Sequence, residues 1–245
     1  MKRRKCGKLY GIGIGPGDPK LLTLKAKEII DQVDIIFSPK GDEDKTSLAR
    51  SIIEATTSVP KEFVELPFPM TRNKKVLKVY WQKAAKRIAE EVAKGKQGAF
   101  ITLGDPFIYS TYIYLLRTLR QDFPNIEVET IPGISAFNAA AARAQVPLVQ
   151  GDERLAILPV TKDLRGLRET FEAFDTVILM KVGSKLDKVM ALLAELDLLK
   201  HSVLVSRLGQ PGERMIHDLS SLNQFKREGY LSVIIVKNPK RGTLS

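Results

Sequence analysis

Residues 11 to 18 read GIGIGPGD, and two more glycine-bearing stretches, LGDPFIYS at 103–110 and IPGISAF at 131–137, each follow an apolar run that predicts a strand. Glycine turns after strands let the backbone approach a ligand closely, so the chemistry of that ligand is the first question. A dinucleotide fingerprint needs G-x-G-x-x-G, but counted from Gly11 the sixth residue is Pro16, and counted from Gly13 it is Asp18. A triphosphate loop ends in Gly-Lys-Ser/Thr, whereas this one ends in Gly-Asp-Pro. A carboxylate at the mouth repels phosphate. The stretch reads either as backbone approaching a ligand that is not polyanionic, or as a tight strand-to-helix turn that needs glycine for its own geometry.

The elements that must position these loops follow from periodicity. Leu9–Ile14 predicts a strand, Asp18-Pro19 an N-cap with proline at the first helical position, and Leu22, Ile29, Ile30 and Val33 one face of the helix that follows. Ile35–Phe37 reads as a buried strand, Thr46–Thr57 as a helix, Phe63–Phe68 as extended, and Lys74–Lys94 as a helix with Leu77, Trp81, Ala84, Ile88 and Val92 on one face. Strand Ala99–Leu103, helix Tyr109–Arg120, strand Ile126–Ile131 and an alanine-rich helix from Ser135 to Ala144 continue the alternation, which argues for a mainly parallel sheet. The pattern breaks around Val146–Glu153. Strands Leu155–Val160, Thr176–Val182 and Val203–Leu208 follow, with helices Leu164–Phe174 and Lys185–Leu196 between them. Two last short runs, Met215–Leu219 and Leu231–Val236, lack a full helix between them, which predicts an antiparallel close to a mixed sheet. The expected architecture is α/β with two α/β domains, 1–147 and 148–245, the second built on a mixed sheet, and a ligand site in the cleft between them.

Composition narrows the classes. The 245 residues carry 44% hydrophobic and 27% charged residues, ordinary for a globular chain. The basic start MKRRKCGKLY precedes no apolar h-region, and no run of about 18 apolar residues occurs, so a cytoplasmic protein without a membrane span is expected. One cysteine, Cys6, allows no internal disulfide, and His201 and His217 stand in no ligand spacing, so no protein-built metal site is expected. The 39 Lys+Arg against 28 Asp+Glu leave a formal charge of +11, which favours anionic partners, whether nucleic acid or a polycarboxylate. No aromatic platform is interleaved with these charges, as single-strand binders use.

Taken together, GIGIGPGDPKLLTLKA, LGDPFIYST, IPGISAFNAAAARAQVPL, the methionine in VILMKVG and the Gly/Pro segment of SRLGQPGER resemble the tetrapyrrole methylase family, from Lys8 to about Lys237. That family uses S-adenosylmethionine without a Rossmann fold. The stretches ELPFPMT, YWQKAAKRIAEEVAKGKQGAF and LGDPFIYSTYIYLLRTL are most similar to members that methylate carbon 20 of precorrin-2, or of its cobalt complex, cobalt-factor II, in cobalamin biosynthesis.

The resemblance implies a cofactor map. Pro16 would lie against S-adenosylmethionine in the first loop; Leu103, Gly104 and Asp105 would meet its methionine part with Ile108 beside them; Ser135 and Ala136 would lie at the third loop and Met180 by the adenine. Leu208 is a weaker correspondence, since many relatives carry glycine or alanine there. S-adenosylhomocysteine would be the product, and a homodimer is implied. A sulfonium, an ammonium and a carboxylate want backbone groups and an acid, which suits Asp105, although Asp105-Pro106 by itself also reads as a turn or helix cap. Tyr109, Tyr112 and Asp105 stand unranked as acceptors of the proton that leaves the methylated carbon, so no catalytic residue is named. Arg50, Arg72, Arg207 and Arg214 are candidate anchors for the eight carboxylates of the tetrapyrrole substrate. The competing readings are a relative acting on another tetrapyrrole position or on ribosomal RNA, and a non-catalytic RNA-binding module; no nucleic-acid partner is expected.

Overall fold

The computed structural model describes residues 6–41, 48–71, 73–161, 164–222 and 231–239. The chain divides into two compact units, Met1–Ser135 and Ala136–Ser245. The first holds strands β1 (Lys8–Gly13), β2 (Ile35–Lys40), β3 (Glu62–Pro67), β4 (Gly98–Thr102) and β5 (Glu127–Ile131), with helices α1 (Leu24–Gln32), α2 (Leu48–Thr56), α3 (Lys74–Ala93) and α4 (Tyr112–Asp122). Its sheet runs in the order β3-β2-β4-β1-β5, all parallel. The central strands β2 and β4 are buried on both faces, as a doubly covered parallel sheet requires, whereas the edge strands β3 and β5 carry glutamates at partly exposed positions. Leu9, Ile35, Phe37 and Phe100 pack with Ala84, Ile88, Leu115 and Leu119 of α3 and α4, while Ile12, Ile36 and Ile101 pack with Ile30, Ile52 and Ile53 of α1 and α2.

One local expectation is corrected here. Asp18 does cap, its Oδ1 accepting from Lys20 N at 2.9 Å, but it caps only a 3-10 turn over Pro19–Leu21. The α-helix begins afresh at Leu24, with Thr23 Oγ1 accepting from Ala26 N. Two cap residues five positions apart compete, and the second opens the longer helix.

The second unit holds α5 (Ala136–Ala144), β6 (Leu155–Pro159), α6 (Leu167–Ala173), β7 (Thr176–Met180), α7 (Leu186–Glu195), β8 (Ser202–Ser206), β9 (Arg214–Ile216) and β10 (Ser232–Lys237). Its sheet order is β6-β7-β10-β8-β9; β6 and β7 are parallel, whereas β10 runs antiparallel to β7 and β8, and β9 to β8. The mixed sheet read from the missing final helix is therefore present. Val177, Leu179, Leu204 and Ile234 build its core with Phe171, Val189 and Leu193 of α6 and α7. The sequence places the division at 147/148, where the pattern breaks; the units divide at 135/136, because α5 packs on β8 and β10 of the second sheet. Its buried alanines, Ala139, Ala140, Ala141 and Ala144, keep that helix face flat. Among the described residues no helix is long and apolar enough to cross a membrane, and no three His, Cys, Asp or Glu side chains gather as a metal site would need.

Glu91 on α3 is a buried charge, its side chain 3% exposed. Its Oε1 accepts from Arg87 Nη1 at 2.6 Å and Lys94 Nζ at 2.8 Å, and Lys96 Nζ lies 3.0 Å from Oε2. The hydrogen bond from Lys94 and the close Lys96 ammonium, with the charge of Arg87, outweigh desolvation and lower its pKa to about 2. The folded carboxyl is thus more acidic than the unfolded one. The stability it contributes is complete above pH about 4.5 and is lost as the pH falls toward about 2. Glu91→Gln is expected to lower unfolding stability by about 1–3 kcal/mol at pH 7. In urea melts across pH, its gap from the wild type should close over that acid window; a gap independent of pH would show that the charge is not what holds the site.

Candidate active site

β4, β1 and β5 are neighbours in the first sheet, so the chain segments leaving their carboxyl ends run side by side. They are the three glycine loops. Ile14 N donates to Thr102 O at 3.0 Å, and Gly15 and Gly104 then form an antiparallel bridge, Gly104 N donating to Gly15 O at 2.8 Å. The third loop closes on both. A Cβ on Gly133 would lie 2.3 Å from Gly104 O and 2.6 Å from Gly13 C, and one on Gly13 would lie 2.6 Å from both Gly104 O and Gly133 N. No side-chain carbon fits at either position, so the three loops meet backbone to backbone.

Asp105 ties this contact together. Its Oδ1 accepts from Phe107 N at 2.9 Å, turning its own loop, and its Oδ2 accepts from Gly133 N at 3.1 Å, reaching across to the loop after β5. Both carboxylate oxygens accept backbone N–H, and the turn reading of Asp105-Pro106 is the one realised inside its own loop. Beneath the loops, Thr102 Oγ1 and Ser110 Oγ share a buried hydrogen bond of 2.8 Å, and Ser110 Oγ accepts from Tyr112 N at 3.1 Å. Tyr112 is fully buried, its hydroxyl bonded to Thr130 Oγ1 at 2.6 Å and its ring over Gly11, where a Cβ would lie 2.0 Å from Cζ. A side chain so placed supports the loops from below and takes no proton from a substrate. Tyr109 is exposed, in a left-handed backbone of φ 52°, and burial of its phenol by its own surroundings raises its pKa, which keeps the proton on at neutral pH.

The structure brings Pro16, Leu103, Gly104, Asp105, Ile108 and Ser135 together at this one end of the first sheet. Pro16, Gly104 and Ser135 are buried; Leu103, Asp105 and Ile108 are half-buried. Ser135 is the last residue of the first unit and Ala136 opens α5 of the second. Met180 closes β7, its carbonyl accepting from Val160 N at 2.8 Å, and Leu208 lies buried just beyond β8. Of the proposed anchors, Arg50 is engaged on α2 by Glu54 at 2.7 Å and lies over the Phe63 ring. Arg72 lies outside the described residues. Arg207 and Arg214 are exposed. Sequence reading did not single out Gly13, Gly133 or the Gly11–Tyr112 contact; their only signal was the glycine pattern itself, which does not say what the glycine must clear.

Two concavities lie elsewhere: one of about 610 Å³ between α6 and α7, lined by Leu164, Arg168 and Leu192 among others, and one of about 510 Å³ lined by Lys8, Tyr10, Gln97 and Glu127 at the amino ends of the first sheet. Neither includes a loop residue. Ligands of parallel sheets bind at the carboxyl ends of strands, the end where the three loops stand. Residues 11–18, 103–110 and 131–137 contain no Lys or Arg. The loops therefore lack the lysine with which a triphosphate loop meets its ligand.

An all-parallel sheet whose three cation-free loops meet backbone to backbone defines an α/β fold outside the phosphate-loop and dinucleotide-fingerprint classes. Residues 8–222 match the family of tetrapyrrole (corrin/porphyrin) methylases, and the chain belongs to that family. It is 40% identical over 235 residues to a probable cobalt-precorrin-2 C(20)-methyltransferase of Methanocaldococcus jannaschii, covering 96% of this chain and 97% of that protein. It is 35% identical to the cobalt-precorrin-2 C(20)-methyltransferase of Salmonella typhimurium, covering 94% and 96%. A precorrin-2 C(20)-methyltransferase of Sinorhizobium is 34% identical, covering 82% and 84%. Among solved structures, a cobalt precorrin-4 methyltransferase superposes with a TM-score of 0.72 at 20% identity, covering 94% of each chain. The uroporphyrin-III C-methyltransferase of Thermus thermophilus, crystallised with S-adenosylhomocysteine, superposes with a TM-score of 0.65 at 18% identity, covering 94% and 97%. At those identities the likeness establishes the fold.

Proposed function

We propose that this protein transfers the methyl group of S-adenosylmethionine to carbon 20 of cobalt-factor II (cobalt-precorrin-2) or precorrin-2 in cobalamin biosynthesis. The carrying observation is near-full-length identity of 35–40% to proteins named for that C(20) reaction. Pro16, Leu103, Gly104, Ile108, Ser135, Ala136, Met180 and Leu208 are the proposed cofactor contacts, with Asp105 holding the loops that carry them. When bound, S-adenosylmethionine supplies an electrophilic methyl on a sulfonium. The protein's task is to hold the electron-rich meso carbon within about 3–3.5 Å and in line, and to exclude water. The cation-free loops suit a sulfonium, since a lysine there would repel it. Tyr112 is withdrawn as acceptor of the proton released at carbon 20 by its burial and its hydrogen bond to Thr130.

Incubation with S-adenosylmethionine and either tetrapyrrole is expected to change the visible spectrum and add the mass of one methyl, and competition between the two would rank cobalt-bound against metal-free substrate. No product with either, but label transfer to ribosomal RNA, would overturn the reading. Fractionation of the native protein with the cytoplasm, and a homodimer in light scattering, belong to the same proposal. Exposed Met70, Val76, Val79 and Tyr114 offer apolar surface for self-association. A solution mass of one chain, 27.3 kDa, would remove the dimer.

A further inference from the structure

Non-glycine residues with positive φ are uncommon, and their placement here is uneven. Gln145 and Asp197 follow the ends of α5 and α7, where a left-handed residue ordinarily ends a helix. Lys181 (φ 55°), Arg207 (φ 51°) and Leu231 (φ 49°) instead share one end of the second sheet. β7 stops at Met180 and β8 at Ser206, while β10, running the other way between them, begins at Ser232. The register pairs Met180 with Val233 and Ser206 with Ser232, and Arg207 N donates to Leu231 O at 3.1 Å. Lys181 and Arg207 therefore leave the sheet at the same end from the two strands that flank β10. Two inter-strand spacings put their Cα atoms about 10 Å apart.

Left-handed turns ordinarily use glycine, because a Cβ crowds the following carbonyl. The same turns do use it at Gly183 (φ 50°), Gly209 (φ 70°) and Gly212 (φ 82°). At two positions the chain instead keeps a long cation in the disfavoured backbone, and strain retained in this way clusters at ligand sites. The turn after β8 is built around Arg207: Gln210 N donates to its carbonyl at 2.9 Å, and its side chain lies over Gly212, where a Cβ would sit in ordinary contact 3.4 Å from Nη1. The carboxylate of that turn, Glu213, accepts from Gly209 N at 2.8 Å and from Arg143 Nε at 2.6 Å. Among the described residues no carboxylate pairs with Arg207. Lys181 directly follows Met180, and Arg207 directly precedes Leu208, so both cations border proposed cofactor contacts. The Lys181 side chain is exposed, yet neighbouring protein lowers its ammonium pKa, as expected of a cation set against a wall and not in open water.

We infer that Lys181 and Arg207 are substrate-binding residues, each holding one peripheral carboxylate of the tetrapyrrole by a charge-assisted hydrogen bond. The inference rests on the reading under Proposed function and assigns the second sheet's end to substrate recognition. Glycine is the informative replacement, because it removes the cation and relieves the backbone together. Lys181→Gly and Arg207→Gly are each expected to raise the KM for the tetrapyrrole about ten-fold or more, the loss expected for one such bond. The KM for S-adenosylmethionine should stay within about two-fold and the Tm should hold or rise. Lys181→Arg and Arg207→Lys should restore most of the affinity. Asp197→Gly, which relieves the same backbone strain at a helix end, should leave both KM values in place.

If the wild type methylates the tetrapyrrole and the glycine variants keep its KM, the substrate role is overturned while the function stands. A fall in Tm with both KM values rising together would show a structural role and also overturn it. A wild type inert toward both tetrapyrroles would defeat the functional reading, and this inference with it.

Discussion

Gly133→Ala is expected to weaken S-adenosylhomocysteine binding by about 100-fold or more and to unfold at lower urea. The added Cβ would lie 2.3 Å from Gly104 O, 2.6 Å from Gly13 C and 2.7 Å from Gly13 Cα. All three atoms are backbone of strand ends or of the loops beyond them, and none can swing aside as a side-chain tip does. Relief requires parting the loops after β4, β1 and β5 where they leave the sheet. Overpacking a dense site costs about 1–3 kcal/mol, and the upper end of that range matches the predicted loss of affinity, at about 1.4 kcal/mol per ten-fold. Gly13→Ala meets Gly104 O and Gly133 N, each at 2.6 Å, and should behave alike. Calorimetric titration with S-adenosylhomocysteine, run beside the urea melt, checks both. Reduced stability with unchanged affinity would mean that the meeting of the loops does not shape the cofactor surface.

Asp105→Asn should lose about ten-fold in S-adenosylhomocysteine affinity together with about 1–3 kcal/mol of stability. The substitution keeps the shape and one acceptor oxygen, but it turns an NH₂ toward either Phe107 N or Gly133 N, both of which donate to the carboxylate. One N–H then loses its partner, and the loop after β5 is no longer tied to the loop after β4. The two readouts separate two roles for the same residue. A carboxylate that only faced the cofactor's cationic groups would lose affinity on amidation with stability intact; a clamp loses both. The paired loss is the result expected here, and affinity lost alone would return Asp105 to direct contact.

Much of the fold was legible because periodicity reports burial directly. The continuous apolar runs around Ile12, Ile36 and Ile101 announced strands buried on both faces, and the missing helix before Ser232 announced the antiparallel close. Competing local signals were less legible. Asp18-Pro19 is a sound N-cap, yet it opens only a 3-10 turn, since Thr23 caps the helix that the apolar face of α1 sustains. The alanine-rich α5 read as the close of the first domain because it follows β5 in sequence; its partners β8 and β10 lie more than fifty residues onward, and no local pattern announces them.

The candidate site divides along the same line. Residue types and order alone determined that three glycine loops follow three strands, that none carries a cation, and that their frames exclude the phosphate and dinucleotide fingerprints. These are properties of spacing and charge, which a one-dimensional chain displays in full. Tertiary structure alone decided what each residue does there. Tyr112 became a buried support under Gly11, Asp105 a clamp between loops, and Gly13 and Gly133 places where backbone meets backbone. The sheet order β4-β1-β5 sets residues about thirty and ninety positions apart against one another, and a glycine's need is defined by the neighbour it must clear, which only the folded chain supplies.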